Sequence, residues 1–561
     1  MKKRIPIGVS DFKELIKKNY YYADKSLMIK DVVEDGAKVV LLPRPRRFGK
    51  TLNMSMLKYF YENTEEDHTY LFDGLKIQKY EEIMKKQGKY PVIYLTFKDI
   101  KKDDFKGFFE VLKAIISREY GEHKYLIEKG FLEGEEKEYF NKILYKKGSL
   151  EDYELSLGYL TKFLYDYHKT KAIILIDEYD VPIQEGYLKD YYEKVIGCMR
   201  NLLSGGFKDN IYLEKAVLTG ILRVAKESIF SGLNNLKVYS IISRKYSQYF
   251  GFLEKEVMGL MQHYELEGKL EDIKKWYNGY IFGENTIYNP WSILNYINEY
   301  DRGLIPYWIN TSSNHLVNQL LSNGDEALKE DLESLVKGKE IVHIVDENIV
   351  MSDIDKNIEN IWSFLLFSGY LKVVRKEVIE GDLFCDLKIP NLEIRYLYKK
   401  IIMSWFKESI SNREMIVMFD NLVNGKVEGF ERILKKCITS SASYFDIGKE
   451  SEKFYHSFVL GMLVMLNNKY KIKSNRESGY GRYDIMMIPK NKEDLGIVIE
   501  FKKIDVKDGQ NLAVLVDQAL EQIDHKNYIQ ELIDEDIQSI MKLGIAFKGK
   551  EIMMKKEIIK K

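Results

Sequence analysis

Residues 38–53 read KVVLLPRPRRFGKTLN, and this stretch decides the architecture of the N-terminal half. The apolar run at 39–42 breaks at Pro43, and Phe48-Gly49-Lys50-Thr51 leads into a segment of helical pattern. Strand, tight turn and helix N-terminus bearing Gly-Lys-Thr make a phosphate-binding loop. Its backbone N–H groups cradle phosphates, the lysine reaches the terminal phosphates and the threonine hydroxyl binds Mg²⁺. The pattern GxxxxGK[ST] places glycine where Arg44 stands in this chain. A Gly-Lys-Thr triplet alone also occurs in ordinary soluble turns, so the reading rests on the strand before it and the helix after it.

A second motif lies at 171–180, KAIILIDEYD. Five consecutive apolar residues suit a buried parallel strand, here ending in Asp177-Glu178. An acid at such a strand end holds Mg²⁺ through water, the role expected of Asp177. The adjacent Glu178 is placed to orient and deprotonate the attacking water. Solvated acids often end buried strands, but two motifs in this order, spaced for intervening βα units, argue for ATP. A third strand is expected in KAVLTGILRV (215–224), its C-terminal end exposing Thr219 and Arg223. Ligands of open parallel sheets sit beyond such ends. Thr219 is read as a γ-phosphate sensor. Arg223 reads equally as a stabiliser of charge in phosphoryl transfer and as a structural ion-pair residue. The cofactor-binding set is Arg47, Phe48, Gly49, Lys50, Thr51, Leu52, Asp177, Thr219 and Arg223, with Thr51 and Asp177 on the metal.

At 561 residues the chain exceeds one core, and three or four domains are expected. Hydrophobic residues at 45% and charged residues at 31% describe an ordinary globular protein. No apolar run spans a membrane and no signal-peptide core is present, so a cytoplasmic location is expected. Cys198, Cys385 and Cys437 follow no disulfide or zinc spacing. With 86 basic and 86 acidic residues, nucleic-acid binding must rely on local patches.

Along the chain, 1–255 alternates helical segments with apolar strands, the pattern of an α/β domain with a mostly parallel sheet. Its strands are VVLL, VIYLTF, AIILI and AVLTGI, with a helix-rich insertion or lid over roughly 100–170. Residues 256–345 read as helical, and the aromatics of WYNGYIF and YNPWSILNYI as helix-packing core in preference to a ligand pocket. Over 346–400, helices flank a hairpin-like stretch, the outline of a winged helix that either contacts DNA or serves as a packing module. Residues 401–561 form a helical connector and a last domain, opened by the apolar helix FYHSFVLGMLVML.

That last domain carries a second chemistry. GRYDIMMIP, the polar turn NKEDLG and IVIEFKK give two strands, with Asp484 on one and Glu500 and Lys502 on the next. Period-two alternation puts Glu500 and Lys502 on one face and Phe501 on the other. Converging carboxylates make a hard-oxygen site for Mg²⁺ or Mn²⁺, with Asp484 and Glu500 as ligands. A lysine beside them positions and activates the hydrolytic water. Glu477 and Glu452 are further candidate carboxylates, and a following helix carries Gln518 and Gln522 at i, i+4. A surface hairpin with ordinary ion pairs is the competing explanation.

Together YYYADKS, RPRRFGKTL, ILIDEYDVPI, LTGILRV, SIFSGLNNL, WYNGYIFG, YNPWSIL, YWINTSSN, GRYDI and IEFKK resemble one bacterial and archaeal family. It combines an AAA-ATPase-like N-terminal domain with a C-terminal PD-(D/E)XK nuclease-like domain. The resemblance implies a P-loop NTPase fold of the additional-strand, catalytic-Glu type, then a helical and winged-helix region, then an α/β restriction-endonuclease-like domain. It makes Arg44 a family feature. It assigns ATPase roles to Lys50, Thr51, Asp177 and Glu178, and nuclease roles to Asp484, Glu500 and Lys502. ATP and Mg²⁺ are the implied cofactors, nucleic acid (DNA foremost) the partner, and a homo-oligomer is compatible. Two rivals stand beside an ATP-regulated nuclease: a nucleotide-driven switch or scaffold whose C-terminal fold binds without cutting, and a DNA-binding ATPase acting through the winged helix.

Overall fold

A computed structural model describes residues 2–223, 235–308, 315–322, 324–349, 351–354, 356–404, 411–441, 459, 462–463, 466, 469–478, 481–504, 511–548 and 551–560. The chain divides into two compact units, Met1–Ser313 with Glu340–Ile394, and Asn314–Lys339 with Arg395–Lys561.

The first unit is built on five parallel strands: β1 (Val39–Pro43), β2 (Val92–Thr96), β3 (Ala172–Asp177), β4 (Leu213–Gly220) and β5 (Leu236–Val238). Their order is β2-β3-β4-β1-β5. β1 and β3 are buried along their whole length, which is why they read as unbroken apolar runs rather than alternating ones. Placing β3 and β4 between β2 and β1 sets the carboxyl end of β3 near the loop that follows β1. The pairs Thr96↔Asp177 and Leu42↔Thr219 align the strand ends. Between β2 and β3 the chain is helical as expected. Asp104 caps Phe105–Glu122, and Ser149 with Asp152 forms a capping box on Leu150–His168.

The expectation of helix throughout 256–345 needs correction. Helices Glu254–Tyr264, Leu270–Tyr277 and Pro290–Asn298 are present. Between them β7 (Tyr280–Phe282) and β8 (Asn285–Tyr288) form an antiparallel hairpin, and β6 (Phe252–Leu253) joins it. The cause is local: Gly279 and Gly283 take φ of +95° and +56°, which glycine alone adopts cheaply. Tyr280 and Phe282 are buried on one face while Ile281 lies between them, a period of two. β9 (Ile341–Ile344) pairs with β11 (Asp382–Lys388), which pairs with β10 (Lys372–Ile379). In sequence the helix Ile358–Phe367 lies between β9 and β10, and the helix Leu392–Ser404 follows β11.

The second unit holds a mixed sheet of β12 (Tyr470–Ser478), β13 (Gly481–Pro489), β14 (Gly496–Lys503), β15 (Ser539–Lys548) and β16 (Glu551–Lys560), in that order. Only β14 and β15 run parallel, and such a pair needs a crossover, supplied here through the helix Leu512–His525. Leu520 and Ile523 of that helix pack with Tyr483, Met486 and Val498 of the sheet into one buried cluster. The expected helix over 454–466 lies largely outside the described residues, as does Glu452; the Glu477 side chain is likewise undescribed.

Candidate functional sites

The turn after β1 is shaped by backbone conformations that side chains rarely adopt. Gly49, the N-cap of the helix Lys50–Tyr61, has φ +84°, and Arg47 has φ +69°. Nothing lies within 4 Å of where a Gly49 Cβ would stand, so the turn encloses open space in front of the helix N-terminus. Lys50 Nζ donates to the carbonyls of Arg44 (3.1 Å) and Pro45 (3.2 Å), folding the loop around the ammonium. Leu52 lies one residue beyond Thr51, half-buried in the first turn.

Asp177 gathers this region. Thr51 Oγ1 donates to Asp177 Oδ2 at 2.7 Å, and Thr219 Oγ1 donates to Oδ1 at 2.6 Å. Burial pushes the Asp177 carboxyl upward, and the two hydroxyls oppose that shift. The hydroxyl and carboxylate oxygens form a hard donor set that suits Mg²⁺. Thr219 is therefore not exposed as expected. It is fully buried, because its strand is the central one of the five and its hydroxyl turns toward Asp177 at the end of β3. Glu178 follows Asp177 with φ +53° and is half-exposed. Arg223 lies beyond the end of β4, its Nε buried without a hydrogen-bond partner among the described residues.

In the second unit the β13–β14 ladder runs Met487↔Ile497, Met486↔Val498 and Ile485↔Ile499. The next position opposes Asp484 to Glu500. There Asp484 Oδ2 accepts the N–H of Phe501 at 2.8 Å in place of a backbone carbonyl. Glu500 Oε1 accepts from Lys502 Nζ (3.2 Å) and Gln522 Nε2 (2.5 Å). Glu500 Oε2 is buried with no hydrogen-bond partner among the described residues. Burial foremost, then the charge of Asp484, raises the Glu500 carboxyl to about 8. A buried oxygen lacking a donor, beside a second carboxylate, fits a divalent cation. Among the described residues no group of three or more His, Cys, Asp or Glu side chains is disposed to hold a metal.

Residues 6–230 match the family described as a predicted AAA-ATPase, and residues 450–557 match the PD-(D/E)XK nuclease superfamily. The chain joins an AAA-ATPase-like domain to a PD-(D/E)XK nuclease-superfamily domain. It is also similar to the "Uncharacterized protein in vnfD 5'region" of Azotobacter chroococcum mcd 1, at 24% identity over 548 residues, covering 94% of this chain and 93% of the relative.

Several residues around the AAA-ATPase-like site were not singled out from sequence. Asp180 is fully buried. Its Oδ2 accepts from the N–H groups of Ile221 (2.8 Å) and Leu222 (3.0 Å) and from Gln184 Nε2 (2.9 Å). Tyr179 OH donates to the Leu222 carbonyl at 2.8 Å. The turn after β4 is thereby tied to the end of β3, and Gly220 must remain glycine. A Cβ there would stand 2.6 Å from Asp180 Oδ1 and 2.7 Å from the Tyr179 ring. The signal was present in the second aspartate of DEYD and the glycine of LTG.

Trp308, together with Tyr280 and Phe282 of a stretch read as helix packing, closes on the loop after β1. Trp308 Nε1 donates to the Arg46 carbonyl at 3.0 Å, and the Phe48 ring packs on Tyr280 and Phe282 with centroids 5.0 and 5.2 Å away. Arg44, standing at the expected glycine position, is completely buried. Its guanidinium donates to the carbonyls of Pro43 and Tyr239 (both 2.7 Å) and Tyr246 (3.4 Å), and lies 4.9 Å from the Phe250 ring centroid. Burial lowers its pKa to about 9, so it stays cationic at neutral pH. Arg44 therefore fastens the loop from behind.

In the nuclease-superfamily domain the helix bearing Gln518 and Gln522 was part of the sequence signal, but the contacts of Gln522 were not foreseen. Gln522 donates to both Glu500 and the hydroxyl of Tyr528 (3.3 Å).

Proposed function

We propose that this protein binds and hydrolyses ATP with Mg²⁺ in its N-terminal unit, and that this cycle regulates a metal-dependent nuclease acting on nucleic acid, DNA foremost. The observation that carries the ATPase reading is the convergence of Thr51, from the phosphate loop, and Thr219, from β4, on the carboxylate of Asp177. In the mechanism that follows, Lys50 neutralises the β- and γ-phosphates, Thr51 and Asp177 hold the cation, and Glu178 takes the proton of the attacking water. A bound Mg²⁺ supplies Lewis acidity toward the phosphate oxygens.

For the second unit the reading rests on Asp484 and Glu500 opposed at the end of a ladder, with Lys502 beside them. These carboxylates would hold the divalent ion, and Lys502 would orient the water that attacks the phosphodiester. The hairpin of β10 and β11, exposed at Val374 and Val378, supports a winged-helix role for 346–400. The free, buried thiols of Cys198, Cys385 and Cys437 support a cytoplasmic location. Among the described residues no helix is long and apolar enough to cross a membrane.

The test is to incubate the full chain with single- and double-stranded DNA and RNA, with Mg²⁺ or Mn²⁺, with and without ATP. Lys50→Ala should abolish nucleotide binding, and ATP retained at wild-type affinity would remove the ATPase reading. Lys502→Ala should stop cleavage while metal still binds, and unchanged cutting would remove this site. A second reading is that the C-terminal fold binds nucleic acid without cutting it. It predicts nucleic acid retained by the wild type with no cleavage under any metal.

A further inference from the structure

The phosphate loop carries three arginines, and the structure gives them different work. Arg44 is spent on carbonyls behind the loop, and Arg46 Nη2 donates to Gln184 Oε1 at 3.3 Å. Arg47 makes no hydrogen bond among the described residues. Its side chain is exposed, and its guanidinium lies over the Trp291 ring at 4.2 Å from the centroid. Stacking occupies the face of a guanidinium and leaves the N–H donors around its edge free, in the planar array that matches phosphate oxygens.

Trp291 is fixed from three sides. Asn289, fully buried, accepts the N–H of Trp291 at 2.9 Å and of Ser292 at 3.2 Å through Oδ1. Pro290 sets the first helical residue. Ser292 Oγ donates to the buried Glu393 at 2.8 Å. The motif YNPWS thus holds one aromatic ring against one arginine. Burial pulls the Arg47 pKa down, and the negative charge of Glu178 opposes that shift.

We propose that Arg47 is the charge-stabilising arginine of ATP hydrolysis, supplied by the phosphate loop itself, with Trp291 as its positioning residue. This rests on the ATPase reading above. As the water oxygen bonds to the γ-phosphorus, the bond to the β,γ-bridging oxygen breaks. Its electron pair leaves with ADP, and the water proton passes to Glu178. Negative charge accumulates on the γ-phosphoryl and bridging oxygens, where the edge donors of Arg47 meet it. No arginine from a second subunit is then required for turnover.

The experiment measures kcat and KM for ATP, and ATP and ADP affinity by calorimetry, on the full chain with Mg²⁺. The proteins are wild type, Arg47→Ala, Arg47→Lys, Trp291→Ala and Trp291→Phe. Arg47→Ala should lower kcat by roughly 10³-fold, the scale of arginine fingers, with ADP affinity nearly unchanged. Arg47→Lys should recover only part of the loss, since an ammonium lacks the planar edge. Trp291→Ala should lower kcat more than it raises KM, and Trp291→Phe should restore it. In the wild type, ATP should alter tryptophan emission and ADP should not, and Trp291→Phe should remove that difference. Wild-type turnover with Arg47→Ala unimpaired overturns the proposal, as does a parallel fall of turnover and ADP affinity in both Arg47 variants. A wild type that neither binds nor hydrolyses ATP overturns the ATPase reading, and this proposal with it.

Discussion

Thr219 and Asp177 lie on adjacent parallel strands, and the threonine hydroxyl donates to the buried carboxylate at 2.6 Å. Removing that donor leaves a buried carboxylate oxygen short of a partner. Thr219→Val, which keeps the shape, should destabilise the first unit by about 1–3 kcal/mol. Thr219→Ser should cost much less. Chemical denaturation of both variants tests this, and equal losses would show that the hydroxyl is not what matters.

Arg44 replaces a glycine of the usual phosphate-loop pattern, yet restoring the glycine should harm the protein. Arg44→Gly removes a completely buried side chain and orphans the carbonyls of Tyr239 and Tyr246. A loss of about 2–5 kcal/mol follows from the cavity and the unpaired acceptors. A melting temperature at or above the wild-type value would contradict this account.

Burial raises the Glu393 carboxyl to about 7, opposed by donors from Trp308, Ser292 and Tyr307. Its folded value lies above its unfolded one, so the folded state binds the extra proton between pH 4.5 and about 7. Stability contributed by that proton is complete below the lower value and lost as pH rises through the upper one. The loss should reach about 3 kcal/mol. Glu393→Gln, neutral throughout, should lack this slope. Unfolding midpoints at pH 5 and pH 8 compare the two proteins, and identical slopes would remove Glu393 from the argument.

Gln522 holds Glu500 Oε1 from the helix behind the sheet. Gln522→Leu should weaken Mn²⁺ binding at Asp484 and Glu500 by roughly 10–100-fold, the usual cost of losing a residue that orients a ligand. Calorimetric titration with Mn²⁺ measures it directly. Unchanged affinity would mean that Lys502 alone positions the carboxylate.

What the sequence made legible follows from where each signal resides. β1 and β3 were readable because full burial on both faces demands continuous apolar runs, and E-x-K was readable because alternation fixes faces. β5 was not anticipated, since three residues give no pattern to read. The hairpin at 280–288 was hidden because Tyr and Phe suit helix packing and strands alike, and only its glycines mark the turns. Arg44, Trp291, Asp180 and Gln522 act through neighbours hundreds of positions away or across a helix and a sheet. Arg44, for instance, is held by a carbonyl 195 residues downstream. Periodicity carries no record of such partners.

The division of the chain has one further outcome. Because 340–394 belongs with 1–313, while 314–339 belongs with the remainder, the polypeptide passes from one unit to the other three times. No single scission separates them: cutting after residue 313 strands Glu393 and Tyr370 on the wrong fragment, away from Ser292 and Trp308. Gene fusion of two free-standing modules would leave one crossing. A truncation intended to isolate the first unit must therefore keep 340–394 as well as 1–313.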